Sequence, residues 1–268
     1  MSEAHSYGKG VSGFDRTFGL PMRQFVPTLV RLADLKPGQR VLDFATGTGI
    51  AAEAALGAVG PTGHVTAADD TPAMLERARG RLGGRPNIAF AVERAGSLSF
   101  PDGDFDAVLC SMALMIFPDR GRALFEFHRV LRGGGRIAVS INTKPERSLT
   151  GRVRMAVARH VPSMRAALAH HYSLSDAAGL RAVLEAAGFR GVEVLMETRH
   201  FPLRSFESYF EPFEQGGGPW GAEYAALPAE ARQEVKKEVR LGLERDGATA
   251  PDGAMEIGAD ILFGSGIK

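Results

Sequence analysis

The chain has 268 residues, of which 44% are hydrophobic and 24% charged. That balance fits a sizeable globular fold and excludes disordered and fibrous classes. The 32 Lys and Arg residues against 31 Asp and Glu leave a formal charge of +1, which gives no basis for a nucleic-acid footprint. A single cysteine, Cys110, excludes an intramolecular disulfide framework and a Cys-based zinc site, and no His or carboxylate cluster has metal-ligand spacing. The opening MSEAHSYGKG lacks the apolar core of a signal peptide, and no stretch reaches the roughly 18 uncharged apolar residues of a membrane helix. The expectation is a cytoplasmic protein with no metal and no membrane or nucleic-acid partner.

Alternating strands and helices fill the first 140 residues, the pattern of a parallel α/β sheet. Val41-Leu42-Asp43-Phe44 reads as a strand, Ala45-Thr46-Gly47-Thr48-Gly49 as a turn, and Ile50 to about Ala58 as an alanine-rich helix. Gly60–Gly63 breaks it before a second strand at His64–Ala68. Thr71-Pro72 is a helix start, a hydroxyl N-cap followed by proline where no amide donor is missed. Strands are expected over 88–92 and 105–110, then a helix with the apolar stripe Leu124, Phe127 and Leu131. Gly133-Gly134-Gly135 is expected to end that helix before a fifth strand at Arg136–Ser140.

After Ile141 the character changes. Residues 144–171 carry Lys144, Arg147, Arg152, Arg154, Arg159 and Arg165 against a single acid, Glu146. This reads as an inserted helical segment within one domain spanning 1–268. Its basic face is either solvated or a binder of a phosphate or carboxylate on a substrate. A helix follows to Ala187 with Gly188 as its C-cap, then a strand at Gly191–Glu197, helices and loops over 203–253, and a closing strand at Ile257–Ile267. A core over 35–141 and helical lid segments over 142–175 and 200–253 are expected.

A strand ending in an acid, a glycine turn, a helix, and a second strand ending in an acid form one device for an adenosine ligand. Small residues admit the ligand to the backbone, and the helix N-terminus supplies free amide donors. Asp69, at the tip of the second strand, is placed to accept both hydroxyls of a ribose. Two ligands compete. Gly47-Thr48-Gly49-Ile50-Ala51-Ala52 satisfies G-x-G-x-x-A with Asp69 about 20 residues beyond, as an NAD(P)-dependent oxidoreductase requires. Asp43 opposes that reading, because a carboxylate beside the turn repels a pyrophosphate and attracts the ammonium of a methionine moiety.

The stretch Val41–Gly49 resembles motif I of class I S-adenosylmethionine-dependent methyltransferases, most closely the methyltransferase type 11 group that includes quinone-biosynthesis enzymes. Four further blocks agree in order: Asp69-Asp70-Thr71-Pro72-Ala73-Met74-Leu75, Leu98–Asp106, Phe117-Pro118-Asp119, and Arg129–Arg136. The resemblance implies a doubly wound, mostly parallel seven-stranded sheet with helical lid insertions, S-adenosyl-L-methionine as cofactor, and methyl transfer to an O, N or C atom of a small molecule. It implies that Asp43 and the turn Ala45, Thr46, Gly47, Thr48 and Gly49 hold the methionine part, and that Asp69 takes the ribose. Asp70 and Met74 then line the adenine side, Arg94, Ala95 and Gly96 its edge, and Ser111 and Met112 lie under the sulfonium. Two positions depart from the family. Ala45 replaces a usual glycine, and Arg94 stands where an aspartate often accepts from the adenine amino group, leaving Glu93 or a backbone carbonyl as substitutes. These departures leave open a catalytically idle cofactor-binding protein.

Methyl transfer from a sulfonium is an in-line displacement, so positioning can supply most of the catalysis. An oxygen or nitrogen acceptor often also needs a general base. His170, His171 and Tyr172, just before a helix entry where the family brings lid residues over the cofactor, are candidate base or acceptor-orienting residues; the alternative is a solvated histidine pair. Tyr7 and Phe14 are expected to close the other side of the pocket or to serve in packing. His128 and Cys110 read as packing residues.

Overall fold

The computed structural model describes Asp15, residues 19–248, Ala250 and residues 253–268. Seven strands form one sheet: β1 (Arg40–Phe44), β2 (His64–Asp69), β3 (Ile88–Val92), β4 (Phe105–Ser111), β5 (Leu131–Asn142), β6 (Arg190–Leu203) and β7 (Met255–Ile267). Their order is β3-β2-β1-β4-β5-β7-β6, and the four pairings from β3 to β5 are parallel. The apolar residues of the central strands, among them Val41, Leu42, Val65, Ala67, Val108 and Leu109, are fully buried, as strands covered on both faces require. Between β1 and β4 the strand order reverses, and at such a switch point the loops leaving the carboxyl ends diverge and open a crevice.

Two local expectations are corrected. The helix after β4, α4 (Arg120–Val130), runs directly into β5 at Leu131, so Gly133–Gly135 lie inside the strand rather than ending the helix. The pairing steps from Phe105–Leu131 to Ala107–Arg136, and this bulge absorbs the glycines, with Gly134 at φ +76°. Thr71 precedes the helix α3 (Pro72–Leu82) as its N-cap residue, but its side chain makes no capping bond. The hydroxyl instead donates to Asp70 Oδ1 at 3.0 Å, while the Thr71 amide donates to Asp69.

The described residues divide into two compact units, one of residues 23–141, 174–197 and 262–268, the other of the described residues before 23, 142–173 and those described within 198–261. In the first, Phe44 packs between Phe127 and Phe117 at ring separations of 5.2 and 5.8 Å, and Phe25 meets Phe263 at 6.3 Å. The expected lid segments fall mostly in the second unit. There Phe206, Phe210 and Tyr224 stack around a helix (Phe206–Glu214) started by a Ser205/Ser208 capping box. The helix Ala229–Arg245 buries Val235, Val239 and Leu243, four residues apart on one face. Asp260 joins three segments of this unit: it accepts two bonds from Arg147 at 2.8 Å and one from the Thr198 hydroxyl at 2.7 Å.

The loop after β3 is held from below by α4. Arg129 donates to the carbonyls of Leu98 and Phe100 and to the carboxylates of Asp102 and Glu126, and Glu126 accepts from the Leu98 amide. A planar fork reaches these acceptors together; an ammonium does not. Arg129→Lys keeps the charge and loses that geometry, so it should lower stability by about 1–3 kcal/mol. Urea unfolding checks this, and an unchanged midpoint would show that the clamp contributes nothing.

Candidate active site

The site is built at the carboxyl ends of β1, β2 and β4, all within the first unit. β1 delivers Asp43 fully buried, and the chain then turns through Ala45 at φ +56°, Gly47 at +55° and Gly49 at +86°. Gly49 is required twice over. Its φ is left-handed, and a Cβ there would meet Leu82 Cδ1 at 3.0 Å and Ala78 Cβ at 3.3 Å on α3. The helix that follows (Ile50–Val59) therefore starts hard against its neighbour, with its first amides facing the turn.

No cationic side chain pairs with Asp43 among the described residues. The Thr46 hydroxyl donates to Oδ2 at 2.6 Å; Oδ1 is buried without a hydrogen bond. Burial pushes the carboxyl up to about 7; the Thr46 and Ala52 donors oppose this and the charge of Asp69 adds to it. Asp69 is buried as well, and its two oxygens accept from the Gly47 amide and the Thr71 amide, each at 2.9 Å. It thus ties the glycine turn to the start of α3. Burial raises Asp69 to about 6. Asp70, one residue on, is exposed.

At the end of β4, Met112 is buried at φ +55°, a conformation that costs a side-chain-bearing residue about 1–2 kcal/mol. Its amide donates to both the carbonyl and the hydroxyl of Ser140 on β5, at 2.9 and 3.0 Å, and this fork holds the strained residue in place. Ser111 is half-buried beside it. Ser140 carried no signal in the sequence, because only the β4–β5 register, which pairs Ser111 with Ser140, brings it to the site.

The predicted adenine edge forms a small closed loop. The Ser97 amide bonds the Arg94 carbonyl at 3.0 Å, Arg122 Nε donates to the Gly96 carbonyl at 2.9 Å, and Arg94 itself is exposed. Glu93, considered as a substitute acceptor, is buried and closes the loop by accepting from the amide and hydroxyl of Ser99. Ala95 and Gly96 are half-buried, and Met74 is buried on α3. Thr46 and Thr48 are buried in the turn. Tyr7 and Phe14 lie outside the described residues.

His170, His171 and Tyr172 belong to the second unit, at the end of a helix (Arg165–Tyr172). His170 is half-buried, and its carbonyl accepts from the amide and hydroxyl of Ser173. His171 is buried, with Asn142 Nδ2 and Arg154 Nη1 at 3.0 and 3.1 Å from its Nε2. Arg154 Nη1 also lies 3.3 Å from Nδ1, so the guanidinium faces both ring nitrogens, while the Asn142 amide faces Nε2 alone. A buried imidazole set beside a guanidinium is poorly placed to take a proton, so the arrangement suits orientation better than general-base work.

Residues 42–139 match the family model described as "Methyltransferase domain". The ubiquinone/menaquinone biosynthesis C-methyltransferase of Ectopseudomonas mendocina is 39% identical over 127 residues, 46% of this chain and 50% of that protein. An arsenite methyltransferase of Halobacterium salinarum is 32% identical over 166 residues, 60% of this chain and 40% of the relative. The chain thus spans about half or less of the length of these curated relatives. Among solved structures, the YcgJ protein of Bacillus subtilis superposes with a TM-score of 0.62 at 21% identity, over 91% of this chain and 97% of that one. Phosphoethanolamine N-methyltransferase 2 of Haemonchus contortus gives 0.61 at 17% identity, over 97% of this chain and 57% of the other. These likenesses support the doubly wound fold, and the sequence relatives support methyl transfer and not the nicotinamide alternative.

Two outcomes follow from the turn. Ala45→Gly relieves a left-handed alanine and should raise stability by up to about 1 kcal/mol, a melting-point gain of about 2–4 °C. A lower melting point would mean that the methyl group is packed favourably. Asp43→Asn removes a buried charge whose folded pKa lies above its unfolded value. The native carboxyl is protonated and uncostly at low pH, and stability is lost as pH rises toward about 7. The variant should therefore gain more over the parent at pH 8 than at pH 5 in ligand-free thermal melts. An equal gain at both would show that Asp43 does not titrate as described.

Proposed function

We propose that this chain, whose residues 42–139 match the methyltransferase-domain family model, is a class I S-adenosylmethionine-dependent methyltransferase that transfers a methyl group to an O, N or C atom of a small molecule. The observation that carries the reading is the unpaired Oδ1 of a fully buried carboxylate at the glycine turn. A buried anionic oxygen of that kind suits a cation, and a methionine-type ammonium supplies one; a pyrophosphate would be repelled.

The residues present fit the cofactor. Asp43 would hold the ammonium, with the turn amides from Thr46 to Gly49 beside the carboxylate end. Asp69, already committed to Gly47 and Thr71, keeps lone pairs for ribose hydroxyls, since a carboxylate offers about four acceptor sites. Met74 and the Arg94–Gly96 loop would border the adenine, and Met112, fixed by Ser140, would sit at the reacting end. When bound, S-adenosylmethionine supplies an electrophilic methyl group on a sulfonium. The chain's own part is then to bind, to align an acceptor atom and to exclude water, and no covalent step on the protein is needed.

His171 and Tyr172 serve best as acceptor-orienting residues, for the reason that the His171 ring already lies against Asn142 and Arg154. The acceptor is organic rather than arsenite. Arsenic binds soft thiolates, and this chain supplies one thiol, Cys110, fully buried in β4 with its pKa pushed up by burial. Among the described residues no helix is long and apolar enough to cross a membrane.

Calorimetry with S-adenosylhomocysteine, with NAD as control, tests the reading. Between pH 6 and 7.5 the ionised fraction of a carboxyl titrating near 7 rises from about one tenth to about three quarters, so affinity should tighten about eightfold. Asp43→Asn should leave only the smaller dependence due to Asp69 and weaken binding at pH 7.5. Binding of NAD alone, or pH-independent binding unaffected by the substitution, would overturn it.

A further inference from the structure

Five of the six basic residues between 144 and 165 are accounted for by ordinary surface chemistry. Arg147 pairs with Asp260, Arg152 with Asp246 and Arg159 with Glu238; Arg165 donates to the carbonyls of Ala158 and Arg159; Lys144 is exposed. Arg154 is the exception. It lies on the helix Gly151–His160 at 4% exposure, and no carboxylate among the described residues pairs with it. Its neighbours are His171, at 3.1 Å from Nη1, and the Trp220 ring, whose centroid lies 5.5 Å from the guanidinium carbon. A neutral imidazole and an aromatic face do not neutralise a buried full charge, and burying one uncompensated is among the most expensive arrangements a fold can adopt.

The unsatisfied groups around it are all donors. Arg154 Nε, Thr150 Oγ1 and Tyr172 Oη are each buried without a hydrogen-bond partner. Thr150 stands one turn before Arg154 on the same helix face, since the Arg154 amide bonds the Thr150 carbonyl at 3.1 Å. The Tyr172 ring lies 4.6 Å from the His171 ring that touches Arg154, tilted at 58° to it. The Tyr209 hydroxyl donates to the carbonyl of Leu149, one residue before Thr150. Asn142 completes the set by donating to His171 Nε2 at 3.0 Å while its own Oδ1 receives the Ser148 hydroxyl. A fixed cation with an unpartnered Nε and two hydroxyls without partners form a cradle for an oxyanion.

We propose that Arg154, with Thr150 and Tyr172, binds an anionic group, a carboxylate or phosphate, on a small molecule. The anion site stands independently of the methyltransferase reading. His171 and Asn142 are positioning residues that hold the guanidinium rather than touching the ligand. The aromatic wall of Trp220 and Tyr172 suits a flat, apolar body attached to the anion.

The test uses the full chain, with thermal melts and calorimetry at matched ionic strength. Benzoate and inorganic phosphate are the anionic probes, and benzamide is the neutral counterpart of benzoate. Either anion should stabilise the parent protein while benzamide does not, and the stronger of the two tells carboxylate from phosphate. Arg154→Met should weaken the stabilising anion about tenfold or more, the loss expected for one charged hydrogen-bonding group. It should also leave the ligand-free melting point no lower, because an uncompensated charge has been removed. Should Arg154→Met fail to fold, Thr150→Val takes its place, and an unchanged anion affinity there overturns the site. No stabilisation by either anion, equal stabilisation by benzamide, or anion binding that survives in Arg154→Met overturns it as well. S-adenosylhomocysteine affinity, measured on the same samples, should not change in either variant. Loss of that binding in the parent alone strikes the methyltransferase reading and leaves the anion site standing.

Discussion

A carboxylate enclosed at the end of a central strand is the constraint from which this site follows. Asp43 is fully buried with one oxygen unpaired, an arrangement that lowers stability unless something positive arrives. The surrounding geometry exists to keep it so. Apolar neighbours fill β1, the turn doubles back through left-handed residues, and Asp69 pins the Gly47 amide so that the turn cannot relax over the carboxylate. The strain at Ala45 and Met112 belongs to the same account. Both sit where loops leave the sheet, and both are held by neighbours rather than by their own preferences.

The second unit repeats the theme with the opposite sign. Arg154 is a buried cation with no carboxylate partner, held by an imidazole and an aromatic ring. Among the described residues, each unit thus holds a buried ionisable group that its own side chains leave without an opposite charge. The proposed ligands, a cationic amino-acid group at Asp43 and an anionic group at Arg154, would supply the missing partners.

Much of the candidate site at the ends of β1 and β2 was legible in the sequence as local structure, because its parts are close along the chain. A strand, a glycine turn and a helix follow one another within a dozen residues, and left-handed turns demand small residues that stand out in the chain. The acidic strand ends at Asp43 and Asp69 were legible for the same reason. The lid was not. Six similar basic residues cannot be told apart by spacing, and only the positions of Asp246, Asp260 and Glu238, about 80 to 115 residues further along the chain, separate the paired arginines from Arg154.

The sequence by itself determined the order of strands and helices over the first 140 residues and the identity of the turn, since propensity, periodicity and capping act over a few residues. Tertiary structure decided the rest. It placed Gly133–Gly135 within β5, turned the Thr71 hydroxyl to Asp70, brought Ser140 to the Met112 amide, and set Asn142 and Arg154 against the His171 ring. Each depends on strand register or on contacts between segments distant in sequence. Burial also decided which charges matter, because a side chain's charge is written in the sequence and its dielectric surroundings are not.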